Sequence, residues 1–280
     1  MCADLCDPPH AVQCHVDGLG EYLKAGVDVH AVNFLGQTAL HQAASIGASG
    51  YVGLLVDAGA DLEVTDRKGQ TPLYIAVFNR HNDTVKLLLE RGADPEGSQK
   101  NLNTPLCIAI MYKDVEILKL LLEYNASPVV TFSNGRVCAV DFLLSTAIDG
   151  GTCFDLIKLL LLHGCDIDYN PRTCRRMAMS PMFACIFFLK PMAVLLMLYE
   201  FGCKRWDFNW RDNRLYDRRE DNETFKAFVS QKAASPRTLM SICRLHLYRT
   251  FQKRPLKFVD PLPLPPTVKD YLKFEDLRFL

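Results

Sequence analysis

The chain has 280 residues, of which 49% are hydrophobic and 23% charged, a composition typical of a folded globular protein. Its 32 basic residues balance 32 acidic ones, which argues against nucleic acid or an anionic membrane as a partner. The N-terminal residues lack the features of a secretory signal, and Lys190 and Pro191 divide the longest apolar stretch, 182–199, into segments too short to span a bilayer. We therefore expect a cytoplasmic protein, which could also enter the nucleus, with protein partners and no membrane contact.

Residues 1–15 are predicted to form an irregular leader. Four potential metal ligands recur there at a spacing of four: Cys2, Cys6, His10 and Cys14. Because Pro8 and Pro9 prevent a continuous helix from aligning these side chains, we predict no metal site. The 11 cysteines of the chain include no CxxC pair, which favours reduced thiols that fill core space in a cytosolic protein.

Two signatures recur at intervals of 33 residues after the leader. The first signature occupies residues 38–41, 71–74 and 104–107, and reads TALH, TPLY and TPLC. The second occupies residues 26–28, 59–61, 92–94 and, in degenerate form, 125–127. The 19 residues from Leu40 to Gly59 give room for two short antiparallel helices, and the same distance recurs in the next two units.

Each residue of these signatures has a place in such a helix pair. The threonine hydroxyl can cap the first helix, and proline suits its first position because that amide would be unpaired. Glycine then supplies the left-handed residue that ends the second helix. The signatures resemble those of the ankyrin repeat, over about residues 16–205, in five to six units of which the first is incomplete and the last two are degenerate. The resemblance implies an all-α solenoid in which His41 hydrogen-bonds to backbone between units.

A solenoid of this kind leaves the hairpin tips and one face of the first helices as a continuous concave surface suited to binding a protein. Aromatic and methionine side chains at variable positions there would be good anchors for a target. The candidate target-binding residues are Phe34, Arg67, Lys68, Phe78, Asn79, Lys100, Met111 and Tyr112. Phe78, Met111 and Tyr112 could equally belong to the core between repeats.

The composition changes after the repeats, and we expect residues 206–234 to be a connecting segment. Ser235 and Pro236 then have the character of a helix cap and a first helical residue, which predicts a helix over residues 236–250. Six residues recur at the spacing of one helical face: Leu239, Ile242, Cys243, His246, Leu247 and Thr250.

Residues 238–247 resemble the elongin-binding segment of a SOCS box, which would span residues 235–280. The resemblance implies that Leu239 enters an apolar pocket on elongin C, that Cys243 packs beside it, and that Leu247 completes the face. The elongin-binding residues would be Thr238, Leu239, Ile242, Cys243 and Leu247. The sequence Leu262-Pro263-Leu264-Pro265 resembles the cullin box, at about residues 260–275, which selects a cullin of the fifth type. We expect the prolines to hold an extended turn that exposes Leu262 and Leu264.

The P-loop, GxGxxG, HExxH and GxSxG motifs are all missing from the sequence, and so is zinc-ligand spacing of the RING type. Together the repeats and the C-terminal module resemble the ankyrin repeat and SOCS box family. This implies a non-catalytic substrate-recognition subunit without a cofactor, which recruits elongin B, elongin C and a cullin with its RING protein to ubiquitinate an unidentified target for proteasomal degradation. The alternative is a non-catalytic ankyrin scaffold or inhibitor that has no ligase partner.

Overall fold

A computed structural model describes residues 28–101, 103–132, 135–145, 150–165, 181–203, 222–234, 238–250 and 258–275. The chain divides into two compact units, Met1–Ser133 and Asn134–Leu280, here called unit 1 and unit 2. The predicted leader and its four spaced metal ligands lie outside the described residues. The part of the chain that the structure describes holds no cluster of potential metal ligands.

The described residues of unit 1 contain three pairs of short helices. Their bounds are Ala39–Ile46 (α1) with Ser49–Asp57 (α2), Pro72–Phe78 (α3) with Asn82–Glu90 (α4), and Pro105–Met111 (α5) with Val115–Glu123 (α6). First helices pack on first helices and second helices on second helices. Because each pair buries its leucines against its neighbour, as at Leu73, Leu88 and Leu106, the core runs through the stack. The predicted helix pairs are confirmed.

The helix ends follow the predicted chemistry. Thr71 Oγ1 accepts a hydrogen bond of 3.2 Å from the amide of Tyr74, and Thr104 caps α5 in the same way. Pro72 and Pro105 occupy the first positions of their helices. Gly59, which follows α2, has a φ of 89°, a left-handed conformation that costs a glycine little.

His41 joins neighbouring repeats, as the ankyrin resemblance implied. Its Nδ1 accepts a hydrogen bond of 3.1 Å from the amide of Thr38, so Nε2 carries the proton and donates to the carbonyl of Gln70 at 3.1 Å. The imidazole is fully buried, and this desolvation is the main reason that the pKa of His41 lies below 6.5. The folded state therefore favours the neutral form of the His41 ring.

In the described residues of unit 2, two helix pairs are followed by further helices. The bounds are Ala139–Ser145 (α7), Gly150–Leu162 (α8), Pro181–Phe187 (α9), Met192–Glu200 (α10), Asn222–Ala234 (α11), Leu239–Thr250 (α12) and Pro266–Leu272 (α13). Helix α7 packs on α8 and α9, and α10 packs on α8 and α9, so the pairing continues despite the degenerate signatures. Two short strands, Val129–Phe132 (β1) and Gly135–Cys138 (β2), flank the boundary between the units and add to the predicted helical fold.

Two features of the second half of unit 2 add to the predicted organisation. Helix α11 lies within residues 206–234, the predicted connecting segment. Helix α12 is described from Leu239, and the Thr238 hydroxyl accepts a hydrogen bond of 3.2 Å from the amide of Ser241, as a capping residue does. Ser235 and Pro236, the predicted cap and first helical residue, lie outside the described residues.

Thiols in the described residues are mostly core side chains. Cys107, Cys165, Cys185 and Cys203 are buried, and Cys243 is exposed. Burial raises the pKa of Cys107 to about 12, so this thiol is protonated and unreactive. None of the described helices has the length and apolar character needed to cross a membrane.

Candidate functional site

Helix α12 exposes an apolar face. The side chains of Leu239, Met240 and Ile242 are 77%, 63% and 49% exposed, and Leu247 is 37% exposed. Cys243 lies on the same side of the helix and is also exposed. The face therefore contains all five residues that the sequence assigned to an elongin-binding site, including the capping residue Thr238 at its start. A run of large exposed apolar side chains on one helix marks a surface that another protein covers.

The opposite face of α12 packs within unit 2. Tyr248 donates a hydrogen bond of 2.7 Å from its hydroxyl to the carbonyl of Leu161, the penultimate residue of α8. Leu245 approaches the backbone at Gly202, where a Cβ atom would lie 2.7 Å from Leu245 Cδ1. Gly202 also has a φ of 99°, so both its conformation and its neighbour require glycine there. The last two helix pairs thus hold α12 with its apolar face outward.

A buried ionic network connects α12 with the repeat helix α10. Glu200 Oε2 accepts hydrogen bonds of 2.9 Å from the Arg244 guanidinium and 2.8 Å from the Ser241 hydroxyl. Both charged side chains are nearly withdrawn from water, with exposed fractions of 4% for Arg244 and 11% for Glu200. The guanidinium also lies over the rings of Tyr271 and Phe274, at 4.2 and 4.5 Å from their centres. Arg244 therefore touches α10, α13 and the residues that follow α13.

Aromatic rings extend this junction. Phe274 is fully buried and stacks on Phe201, just after α10, at a ring-centre distance of 3.8 Å. Tyr248 meets both rings edge to face, at 5.2 Å from Phe201 and 5.6 Å from Phe274. The Lys158 ammonium, on α8, pairs with Glu275 at 3.1 Å. The C-terminal module is thus anchored in the core of unit 2 by polar and apolar contacts together.

The proline-rich segment lies just before α13. Pro263 and Pro265 are exposed, whereas Leu262 and Leu264 are half-buried. The prolines were expected to expose both leucines, and each is partly exposed. The chain turns tightly here, because the Leu264 amide donates to the Leu262 carbonyl at 2.8 Å. The exposed edge of this segment therefore combines proline rings with parts of two leucines.

The large side chains at the ends of the first helices in unit 1 are exposed. Phe78, Met111 and Tyr112 have exposed fractions of 47%, 52% and 43%. The rings of Phe78 and Tyr112, from successive repeats, meet edge to face at a centre distance of 5.7 Å. Among the alternatives left open by the sequence, the structure thus places these residues on the surface. Asn79, by contrast, is held by the preceding repeat, because its amide donates to the Ser45 carbonyl at 3.1 Å.

The hairpin tips of unit 1 carry the remaining candidates. Phe34 is 76% exposed, and Arg67, Lys68 and Lys100 are exposed as well. Asp66 was not among the predicted residues. It is buried and accepts hydrogen bonds from the amides of Lys68 and Gln70. The sequence did contain a signal: Asp66 follows Asn33 by one repeat of 33 residues, and the Asn33 side chain accepts the equivalent hydrogen bonds from the amides of Leu35 and Gln37. These hydrogen bonds hold the backbone of the tip that carries Arg67 and Lys68.

Comparison with protein families identifies the domain type of two parts of the chain. Models of ankyrin repeats match residues 10–99 and 79–122, and a model of the SOCS box matches residues 235–273. The chain is an ankyrin repeat and SOCS box protein. A search of the curated proteins found no match. Among solved structures, the chain is similar to the ankyrin repeat domain of Bcl-3, described as a unique member of the IkappaB family, with 25% identity, a TM-score of 0.57, and coverage of 69% of this chain and 80% of that one.

The identification gives each surface a general role. Ankyrin repeats bind proteins, and SOCS boxes bind elongin B, elongin C and cullins; both are adaptor-type domains. The two together suggest a SOCS-box substrate receptor for a cullin-RING ubiquitin ligase. The matched SOCS box contains α12, the proline-rich segment and α13, which are the elements that carry the exposed apolar face and the half-buried leucines.

Proposed function

We propose that this protein is the substrate-recognition subunit of an E3 ubiquitin ligase built on elongin B, elongin C and a cullin of the fifth type with its RING protein. Its ankyrin repeats hold a target protein for ubiquitination and proteasomal degradation. The observation that carries this proposal is the orientation of α12, whose apolar face is turned to solvent while its polar and aromatic residues lie against the repeats.

The elongin-binding surface would consist of Thr238, Leu239, Ile242, Cys243 and Leu247, with Leu239 as the central anchor because it is the most exposed of the three large apolar side chains. Burying one leucine side chain contributes about 1.5 to 3 kcal/mol, so its loss lowers affinity by at least about tenfold. The cullin-binding surface would consist of Leu262, Pro263, Leu264 and Pro265. The target-binding surface would consist of Phe34, Arg67, Lys68, Phe78, Asn79, Lys100, Met111 and Tyr112.

The protein then acts by proximity and contributes no catalytic side chain. The repeats immobilise the target, and the SOCS box brings the RING protein and the charged conjugating enzyme close to a target lysine. Holding two reactants together raises their effective concentration, which is the source of the rate enhancement. The buried Glu200–Arg244 contact supports this role, because it fixes the SOCS box on the repeats within unit 2.

Co-purification of elongins B and C tests the proposal. The wild-type chain should capture both, and the double variant Leu239→Asp, Cys243→Asp should capture neither. A control is Ala227→Asp, which places one such negative charge at an exposed position of helix α11. If the wild-type chain captures no elongin, or if the double variant captures as much as the control, the chain is better described as an ankyrin scaffold or inhibitor without a ligase.

A further inference from the structure

Charge is distributed unequally between the two sides of the repeats in unit 1. On the second helices and in the loops that follow them, exposed carboxylates outnumber exposed cations: Asp57, Asp61, Glu63, Asp83, Glu90, Asp94, Glu116 and Glu123 stand against Lys86, Arg91 and Lys119. The hairpin tips and the ends of the first helices instead carry Arg67, Lys68, Arg80, Lys100 and Lys113, all exposed. The acids Asp66 and Asp114 on that side are buried, and only Arg80 is paired with one of them, at 3.0 Å from Asp114.

Two of these cations occupy a backbone position that disfavours them. Arg80 and Lys113 end their first helices with φ values of 61° and 58°, where the preceding repeat has Gly47 at 79°. A side chain costs free energy in this left-handed conformation, and glycine does not. In the second unit Leu189 holds the same position, with a φ of 54°. Strain of this kind, kept where glycine would fit the backbone better, points to a role for the side chain.

Apolar anchors lie beside the cations. Lys113 directly follows Met111 and Tyr112, and Arg80 follows Phe78 by two residues. The rings of Phe78 and Tyr112 are in contact and form a continuous aromatic surface across two repeats. The tips are equally continuous, since the Arg67 amide donates to the Leu35 carbonyl at 3.0 Å and the Gly69 backbone lies against Lys100. Cationic and apolar side chains thus lie beside one another at the hairpin tips and at the ends of the first helices, the parts of unit 1 that a solenoid presents as its binding surface.

We propose that this surface selects an acidic segment of the target protein that carries an aromatic or large aliphatic anchor residue. The carboxylates of the segment face Lys113, Lys100 and the tip cations, while the anchor packs on Phe78, Met111 and Tyr112. Charge complementarity sets which partners are accepted, and the apolar contacts supply most of the affinity. This inference rests on the proposed target-receptor function and names the chemistry of its target.

The test is a selection from a displayed random peptide library against the full-length chain bound to elongins B and C. Selected peptides should be rich in Asp and Glu and contain Phe, Tyr, Trp or Leu, and their binding should weaken as salt is raised. Phe78→Ala and Lys113→Gly should each lower the affinity of a selected peptide by about tenfold. Lys119→Gly, on the second-helix side, is the matched control and should leave that affinity unchanged.

Thermal unfolding separates binding from folding. Lys113→Gly should keep or raise the melting temperature while it weakens peptide binding, because glycine removes the strain of the left-handed backbone at this position. Selection of basic or uncharged peptides, capture of a single-stranded oligonucleotide in their place, or full peptide affinity in Lys113→Gly would overturn the inference. Elongin capture is measured in the same preparations, so failure here with elongins bound leaves the ligase proposal standing.

Discussion

At the scale of single residues, the buried guanidinium of Arg244 contacts several elements of unit 2 at once. Its guanidinium donates to Glu200 and to the Tyr271 carbonyl, and two rings lie against it. A buried charge is costly unless it is paired, so the network stabilises one arrangement of α12 on the last repeat more than it adds net stability. The sequence placed Arg244 off the apolar stripe of α12, and only the fold reveals that this side is buried.

We predict that Arg244→Ala lowers the free energy of unfolding by about 3 kcal/mol, because Glu200 is left buried without its cation. Chemical denaturation measures this loss. Arg91→Ala removes the exposed partner of Asp57 and should cost less than about 1 kcal/mol. The double variant Glu200→Gln, Arg244→Met removes both charges and should recover most of the loss. Equal destabilisation by Arg244→Ala and Arg91→Ala would contradict the prediction.

His41 gives the repeats a dependence on pH. Because burial lowers its pKa in the folded state, the unfolded chain binds this proton more readily. The stability that it contributes is complete above pH 6.5 or so, and is lost as the pH falls from there towards the folded-state pKa. We predict that unfolding free energy falls over that window by at most about 1.4 kcal/mol per pH unit from this residue. His41→Gln should flatten the pH profile; an unchanged slope would assign the effect to other groups.

At the scale of elements, helix α12 has two faces with different uses. The stripe of Leu239, Ile242, Cys243 and Leu247 could be read from the sequence, because apolar residues at a spacing of three and four stand out. The stripe of Ser241, Arg244, Leu245 and Tyr248 could not, because a mixture of polar and aromatic residues has no periodic apolar signal. The sequence offered Ser235-Pro236 as the start of the helix, whereas the hydrogen bond from the Ser241 amide to the Thr238 hydroxyl is visible only in the fold.

The proline-rich segment before α13 should act separately from α12. We predict that Leu262→Asp combined with Leu264→Asp abolishes cullin capture while elongins B and C still co-purify, because the exposed face of α12 is untouched. Asp270→Ala, at an exposed site of α13, is the control and should keep both partners. Loss of elongins in the leucine variant would show that the two surfaces are not separable, and retention of the cullin would remove this segment from the proposed interface.

At the scale of the whole molecule, the repeats were predictable because two signatures share one period. Thr71, Pro72 and Gly92 recur at fixed places, and their roles as caps and helix ends are local chemistry. The exposure of Phe78 and Tyr112 was not predictable, since an aromatic residue near a helix end suits a core as well as a surface. The anchoring of Phe274 was also beyond the sequence, because its partners Phe201 and Tyr248 lie far away along the chain.

That anchoring has a consequence for truncated proteins. Removal of residues 235–280 takes Tyr248, Arg244 and Phe274 out of the core of unit 2, which exposes Phe201 and leaves Glu200 without its cation. We predict that such a chain loses hydrogen-exchange protection in α8 and α10, whereas α1 to α6 in unit 1 stay protected. The Leu239→Asp, Cys243→Asp variant changes only exposed positions and should keep protection in both units. Retained protection of α8 and α10 after truncation would show that the repeats of unit 2 fold without the SOCS box. Because truncation is expected to disturb unit 2, the point variant is the proper elongin-deficient control.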